Sequence, residues 1–173
     1  MNIAVVALLA LVAVLGLLLT ARGERVRSAW GAVFLVVLLA AAGALAWAGG
    51  DAASTLVEVA AVASVLAAVA GGGPIANAVL RAADPAAVGV SGGPQDPTIL
   101  RGGAWIGVLE RTAIAASLLA RSADGLVVVL AVKGLGRYSE LRAPAAAERF
   151  ILGTLASALW AAGCVGVALL LRT

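Results

Sequence analysis

The sequence predicts an all-α, polytopic transmembrane helix bundle of about six spans, the fifth short or re-entrant. Three observations carry that expectation. Hydrophobic residues make up 63% of the 173 residues and charged residues 12%, against about 45–50% and about 25% in an ordinary soluble domain. The mean hydropathy is +1.10. The apolar residues also fall in long runs, and a helix needs about 20 such residues to cross the bilayer core. A soluble domain of this size must cover its surface with polar groups, and 12 basic and 9 acidic residues are too few. Residues 1–173 therefore read as a single membrane domain.

The first run, 3–20, has no charge. Arg22, Arg25 and Arg27 follow it rather than precede it, the reverse of a secretory signal peptide, so a span with its N-terminus outside is expected. The second run, 30–47, has Trp30 and Trp47 at its ends, where interfacial aromatics are favoured. Gly49, Gly50 and Asp51 supply a tight turn.

The third run covers 54–70. Its extension towards Leu80 is interrupted by Gly71-Gly72-Gly73-Pro74, residues that stop a helix or break it inside a cavity. Residues 81–103, rich in Gly, Pro and Asp, read as an exposed, mobile cytoplasmic loop. The fourth run, 104–120, contains Glu110 and Arg111. The fifth begins at 125 and meets Lys133 after only eight residues. It spans only if the helix continues past Arg137 towards Leu141 with Lys133 snorkelling; otherwise it is re-entrant. The sixth run covers 149–171 and is preceded by Pro144, a good first-turn residue.

Charge placement orients the chain. With the N-terminus outside, Arg22, Arg25, Arg27, Arg81, Arg101, Lys133, Arg137, Arg142 and Arg149 all lie inside. Only Arg121 and Arg172 lie outside, a strong positive-inside bias. Both termini are then outside. Abundant Ala, Gly and Arg, with a single Lys, point to a GC-rich bacterial genome and hence to the cytoplasmic (inner) membrane.

Several chemistries are excluded. With no His, there is no imidazole base, His triad or His metal site. Cys164 stands alone in an apolar run, so no internal disulfide or thiolate cluster forms. No metal site, cofactor or catalytic residue is expected, and the chain reads as more plausibly no enzyme. The net charge of +3 is spread over loops rather than gathered on a basic face, which argues against nucleic-acid binding.

Lipid is as apolar as Leu, so membrane helices associate through small residues. The sixth run offers Thr154, Ala158, Ala162 and Gly166 at four-residue spacing, with Gly153, Ser157 and Ala161 beside them. The third offers Ala60, Ser64, Ala68 and Gly72. A chain this rich in Ala also produces such ladders by chance.

Ionisable residues within spans are costly and are functional hypotheses by default. Glu58, near the outer boundary, can simply reach headgroups. Glu110 and Arg111 lie deeper and point about 100° apart, so each needs a partner on another helix. Counting outward from the turn at 121–124 brings Glu110 level with Lys133. Arg137 follows one turn later, and Gly134 and Gly136 leave the backbone between them bare. That arrangement suits an anionic headgroup, a neighbouring helix, or a register-fixing ion pair.

Three stretches, Trp105-Ile106-Gly107-Val108-Leu109-Glu110-Arg111, Ala131-Val132-Lys133-Gly134-Leu135-Gly136-Arg137 and Ile151-Leu152-Gly153-Thr154-Leu155-Ala156-Ser157, carry a likeness. This part of the chain, roughly its last 70 residues, resembles the C-terminal membrane hairpins of an uncharacterised bacterial integral membrane protein family with IGxLER, AxKxxxR and IGTLxS stretches. The resemblance implies a bacterial membrane protein and links Glu110, Arg111, Lys133, Arg137, Glu148 and Thr154 as one set. The His-containing N-terminal helices of that family have no counterpart here.

Two functions follow as expectations. One is a small-solute or ion permeation module with Glu110, Arg111, Lys133, Arg137 and Glu58 along its path. The other is a structural or regulatory subunit whose charges and small-residue ladders fix assembly, as a homo-oligomer or with a partner membrane protein. Binding of an anionic lipid headgroup is a further alternative. The bilayer is the partner common to all three.

Overall fold

The structure, a computed structural model, describes residues 1–21, 29–83, 103–138, 140–142 and 144–171. Among them are six α-helices and no strand: α1 (Asn2–Ala21), α2 (Ala29–Ala48), α3 (Ser54–Ala83), α4 (Gly103–Leu119), α5 (Ala123–Gly136) and α6 (Pro144–Leu170). A short 3-10 turn, Glu140–Arg142, precedes α6. Four helices, α1, α2, α3 and α6, are long and apolar enough to cross a membrane. The protein is an integral membrane helical bundle.

α3 is the centre of the bundle and packs against α1, α2, α4 and α6, whereas α5 packs mainly against α4. The small-residue ladder of α3 explains how four neighbours fit. Ala60, Ser64, Ala68 and Gly72 are all buried, and Ser64 satisfies its hydroxyl by donating to the carbonyl of Ala61 at 2.7 Å.

On α6 the expected ladder is only part of the contact. Thr154, Ala158, Ala162 and Gly166 are partly covered, while Ser157, Trp160, Ala161, Cys164, Val165 and Ala168 are buried. A four-residue step overshoots one turn of 3.6 residues by about 40°. Three such steps wind away from a straight contact by about 120°.

The expected interruption at 71–74 is absent: α3 runs through Gly71-Gly72-Gly73-Pro74 as α-helix to Ala83. The physical reason is packing. Gly16 of α1 meets this stretch so closely that a Cβ on it would lie 2.7 Å from the backbone of both Ala70 and Gly71. Pro74 has no N–H to give the carbonyl of Ala70 four residues earlier, and Gly16 lies against that same carbonyl. The Gly-Pro stretch is a crossing point, not a break.

α3 also carries Arg81 to Ala83, where the sequence places the start of the loop, and α4 begins at Gly103. The rest of that loop lies outside the described residues. α5 ends at Gly136 and does not continue past Arg137. Its 14 residues reach about 21 Å, and the two glycines near its end favour a stop. α6 begins at Pro144, one and a half turns earlier than expected.

Contacts sort the helix ends. Asn2 donates through Nδ2 to the carbonyls of Gly50 (3.3 Å) and Asp51 (3.1 Å), tying the start of α1 to the α2–α3 connection. Trp30 and Trp47 are both exposed and lie 17 residues apart along α2, which places two aromatic levels about 25 Å apart. Trp105, exposed near the start of α4, marks the same end as Trp30, because α4 follows the far end of α3.

Candidate functional site

The α4–α5 turn sets the register of the charged residues. Arg121, at φ 55°, takes the left-handed position after α4. The N–H of Ser122 bonds the carbonyl of Ser117 (2.8 Å) and that of Arg121 bonds Leu118 (3.0 Å), a Schellman closure. Ser122 then caps α5, its hydroxyl accepting from the N–H of Gly125 at 3.1 Å. A turn this short makes α4 and α5 antiparallel neighbours.

Counting along both helices from that turn brings Glu110 and Lys133 together, and Lys133 Nζ donates to Glu110 Oε2 in an ion pair. The two side chains are 13% and 20% exposed respectively. Lys133 also stands over the ring of Phe150 on α6, 5.7 Å from its centroid, a cation–π contact that couples α5 to α6.

Arg111 turns the other way, as neighbouring helix positions must. It is 8% exposed, and its Nε donates to the carbonyl of Val69 on α3 at 3.0 Å. Two glycines make the room. A Cβ on Gly72 would lie 2.8 Å from Arg111 Nε, and one on Gly107 2.9 Å from Nη1. The side chain thus runs back along α4 towards its start.

Glu58 lies apart from this group. It is exposed on α3, eleven residues before Val69, or about 16 Å away along the axis. Arg137 supplies the C-cap of α5, its N–H turned to the carbonyls of Gly134 and Leu135. Glu148 is exposed. Thr154 is half-buried with its Oγ1 buried and lacking a hydrogen-bond partner. The structure brings together Glu110 and Lys133 and adds Phe150, while it carries Arg111 to α3.

Depth is decisive for chemistry. Glu110 lies five residues beyond Trp105, or about 8 Å inside that aromatic level. The midpoint between the Trp30 and Trp47 levels is about 13 Å in. The charges therefore lie in the outer part of one half of the bundle, not at its middle. Among the described residues no three His, Cys, Asp or Glu side chains gather to hold a metal.

Sequence reasoning missed the acceptor of Arg111, because a backbone carbonyl has no sequence signature. Gly107, one turn before Arg111, was the legible sign that the side chain could fold back. Sequence reasoning also missed Trp160, whose Nε1 donates to the carbonyl of Ala67 at 3.1 Å. Compared with protein-family models, with curated proteins and with solved structures, the chain matches none.

Proposed function

We propose that the chain is a structural or regulatory subunit of the bacterial cytoplasmic membrane, whose intramembrane charges dock the α4–α5 hairpin rather than convey a solute. One observation carries this reading: each charge within the bundle is engaged in a tie between helices. Glu110 and Lys133 join α4 to α5, and Arg111 joins α4 to α3. Transport sites are commonly built near the midplane from broken helices; here α3 is unbroken and the charges lie nearer one surface.

Charge supports the orientation with both termini outside. Arg81, Arg137, Arg142 and Arg149 share the end that the positive-inside rule assigns to the cytoplasm. Asp51, Glu58 and Asp124 share the opposite end with Arg121. The motif resemblance over the last two hairpins fits a bacterial membrane protein.

A permeation role is the second reading, favoured by the partial exposure of Glu110 and Lys133. A double-mutant cycle separates the two. Glu110→Gln or Lys133→Met leaves one buried charge unpaired, so each should destabilise more than removal of both. Unfolding in detergent micelles reads this out, and partial recovery in the double variant supports the docking role. Solute or ion flux through wild-type proteoliposomes above that of empty vesicles, abolished in a stably folded double variant, would transfer the charges to a permeation path.

A further inference from the structure

Glu58 of α3 and Arg121 of the α4–α5 turn are opposite charges at one depth. Both are exposed, and among the described residues neither side chain forms an ion pair. The bond from Arg111 Nε to the carbonyl of Val69, 3.0 Å long, levels α4 with α3. From that level Glu58 lies eleven residues along α3 and Arg121 ten residues along α4, about 16 Å and about 15 Å towards the same end. Arg121 is also, among the described residues other than glycine, the one with a positive φ (55°). Within a single chain no ion pair or hydrogen bond of its side chain offsets that strain.

Each of these charges stands at the head of an uncovered helix face. On α3, Thr55, Val59, Val62 and Leu66 are exposed. They recur at steps of four, three and four, the spacing of a helix–helix seam, and Glu58 adjoins Val59. On α5, which buries no residue, Val128, Ala131, Leu135 and Tyr138 are exposed at steps of three, four and three. Arg121 lies in the turn that leads into this helix.

We propose that a second copy of this chain covers these faces, the α3 seam of one copy packing on the α5 seam of the next, with Glu58 of one paired to Arg121 of the other. Copies related by rotation about the bilayer normal keep every residue at its own depth, so charges level within one copy are level between copies. Charge selects the arrangement. α3 against α3 would set Glu58 beside Glu58, and α5 against α5 would set Arg121 beside Arg121, whereas α3 against α5 joins opposite signs. The contact supplies a partner for the assembly role proposed above and rests on that reading. The Glu110–Lys133 cycle reads the fold of one chain and is indifferent to contacts between copies, so the two readings fail separately.

The experiment is energy transfer between copies that carry donor or acceptor dyes at Arg142→Cys, an exposed position, in phosphatidylcholine vesicles of varied protein density. Cys164 is buried and takes no dye. Transfer should rise saturably with density. Glu58→Arg and Arg121→Glu should each move half-association to a density about three- to tenfold higher, the scale of one ion pair near a surface. Combined in one chain, the two substitutions should restore association to within about twofold of the starting protein.

A second measurement needs no charge reversal. Copies bearing Glu58→Cys, co-expressed with copies bearing Arg121→Cys, should be joined by a short bismaleimide, and neither variant alone should be. Absence of transfer at every density means that lipid covers both faces, and it overturns the proposal. Association that neither charge reversal weakens, or that the combined variant does not restore, puts the contact on other faces and overturns it equally. If a reversed variant does not fold, the cross-link decides, and its absence overturns the proposal.

Discussion

Trp160 of α6 lies against Gly71 of α3 so closely that a Cβ on the glycine would fall 2.5 Å from Cζ2 of the indole and 2.8 Å from its Nε1. The same Nε1 donates to the carbonyl of Ala67, one turn earlier on α3. One aromatic ring therefore sets both the distance and the register of the central helix pair. The glycine is required there for space: Gly16 of α1, Trp160 of α6 at Gly71 and Arg111 of α4 at Gly72 bring three other helices to a single stretch of α3.

Gly71→Ala should accordingly destabilise the bundle by about 1–3 kcal/mol, the usual cost of overpacking. Gly73, two residues on, has open space where its Cβ would be, and Gly73→Ala should be neutral or stabilise by about 0.5–1 kcal/mol. Unfolding titrations in detergent micelles compare the two. Equal effects would place the crossing elsewhere.

The clash and the ring should also be coupled. Trp160→Phe removes the outer edge of the indole and its hydrogen bond, which costs about 1 kcal/mol. In the double variant with Gly71→Ala, the smaller ring should relieve part of the strain, so the two costs should sum to more than the measured loss. Strict additivity would show that they do not meet.

Arg121 occupies the left-handed position that closes α4, where a side chain other than Gly is strained by about 1 kcal/mol. Arg121→Gly should raise stability by about that amount without moving the Glu110–Lys133 register. A loss of stability would instead assign the arginine a necessary contact at the membrane surface.

Topology can be read with cysteine labelling in intact cells. Cys164 is fully buried and should give no background. Ser122→Cys, exposed at the α4–α5 turn, should react with an impermeant reagent from outside, and Arg142→Cys, exposed at the opposite end, should not. The reverse pattern would invert the orientation.

The helices and the Glu110–Lys133 pair were legible in the sequence for one reason: both are local. Apolar runs define the helices, and a short turn forces its two helices to lie antiparallel, so counting residues outward from 121–124 sets which side chains meet. The ends were less legible. Pro144 starts α6 ahead of its apolar run; the proline marks a good first turn, but the apolar run alone places the start at 149.

The composition and the spacing of apolar residues determined by themselves that the chain forms a helical membrane bundle, because bilayer thickness and helix rise leave few alternatives. Only the tertiary structure decided what Gly71-Gly72-Gly73-Pro74 does. The same residues break an isolated helix or let three helices press against it, and the choice depends on Gly16, Arg111 and Trp160 arriving from distant parts of the chain. Arg111 shows the same division: its charge marks it as needing a partner, but a backbone carbonyl 42 residues away becomes that partner only when the helices cross.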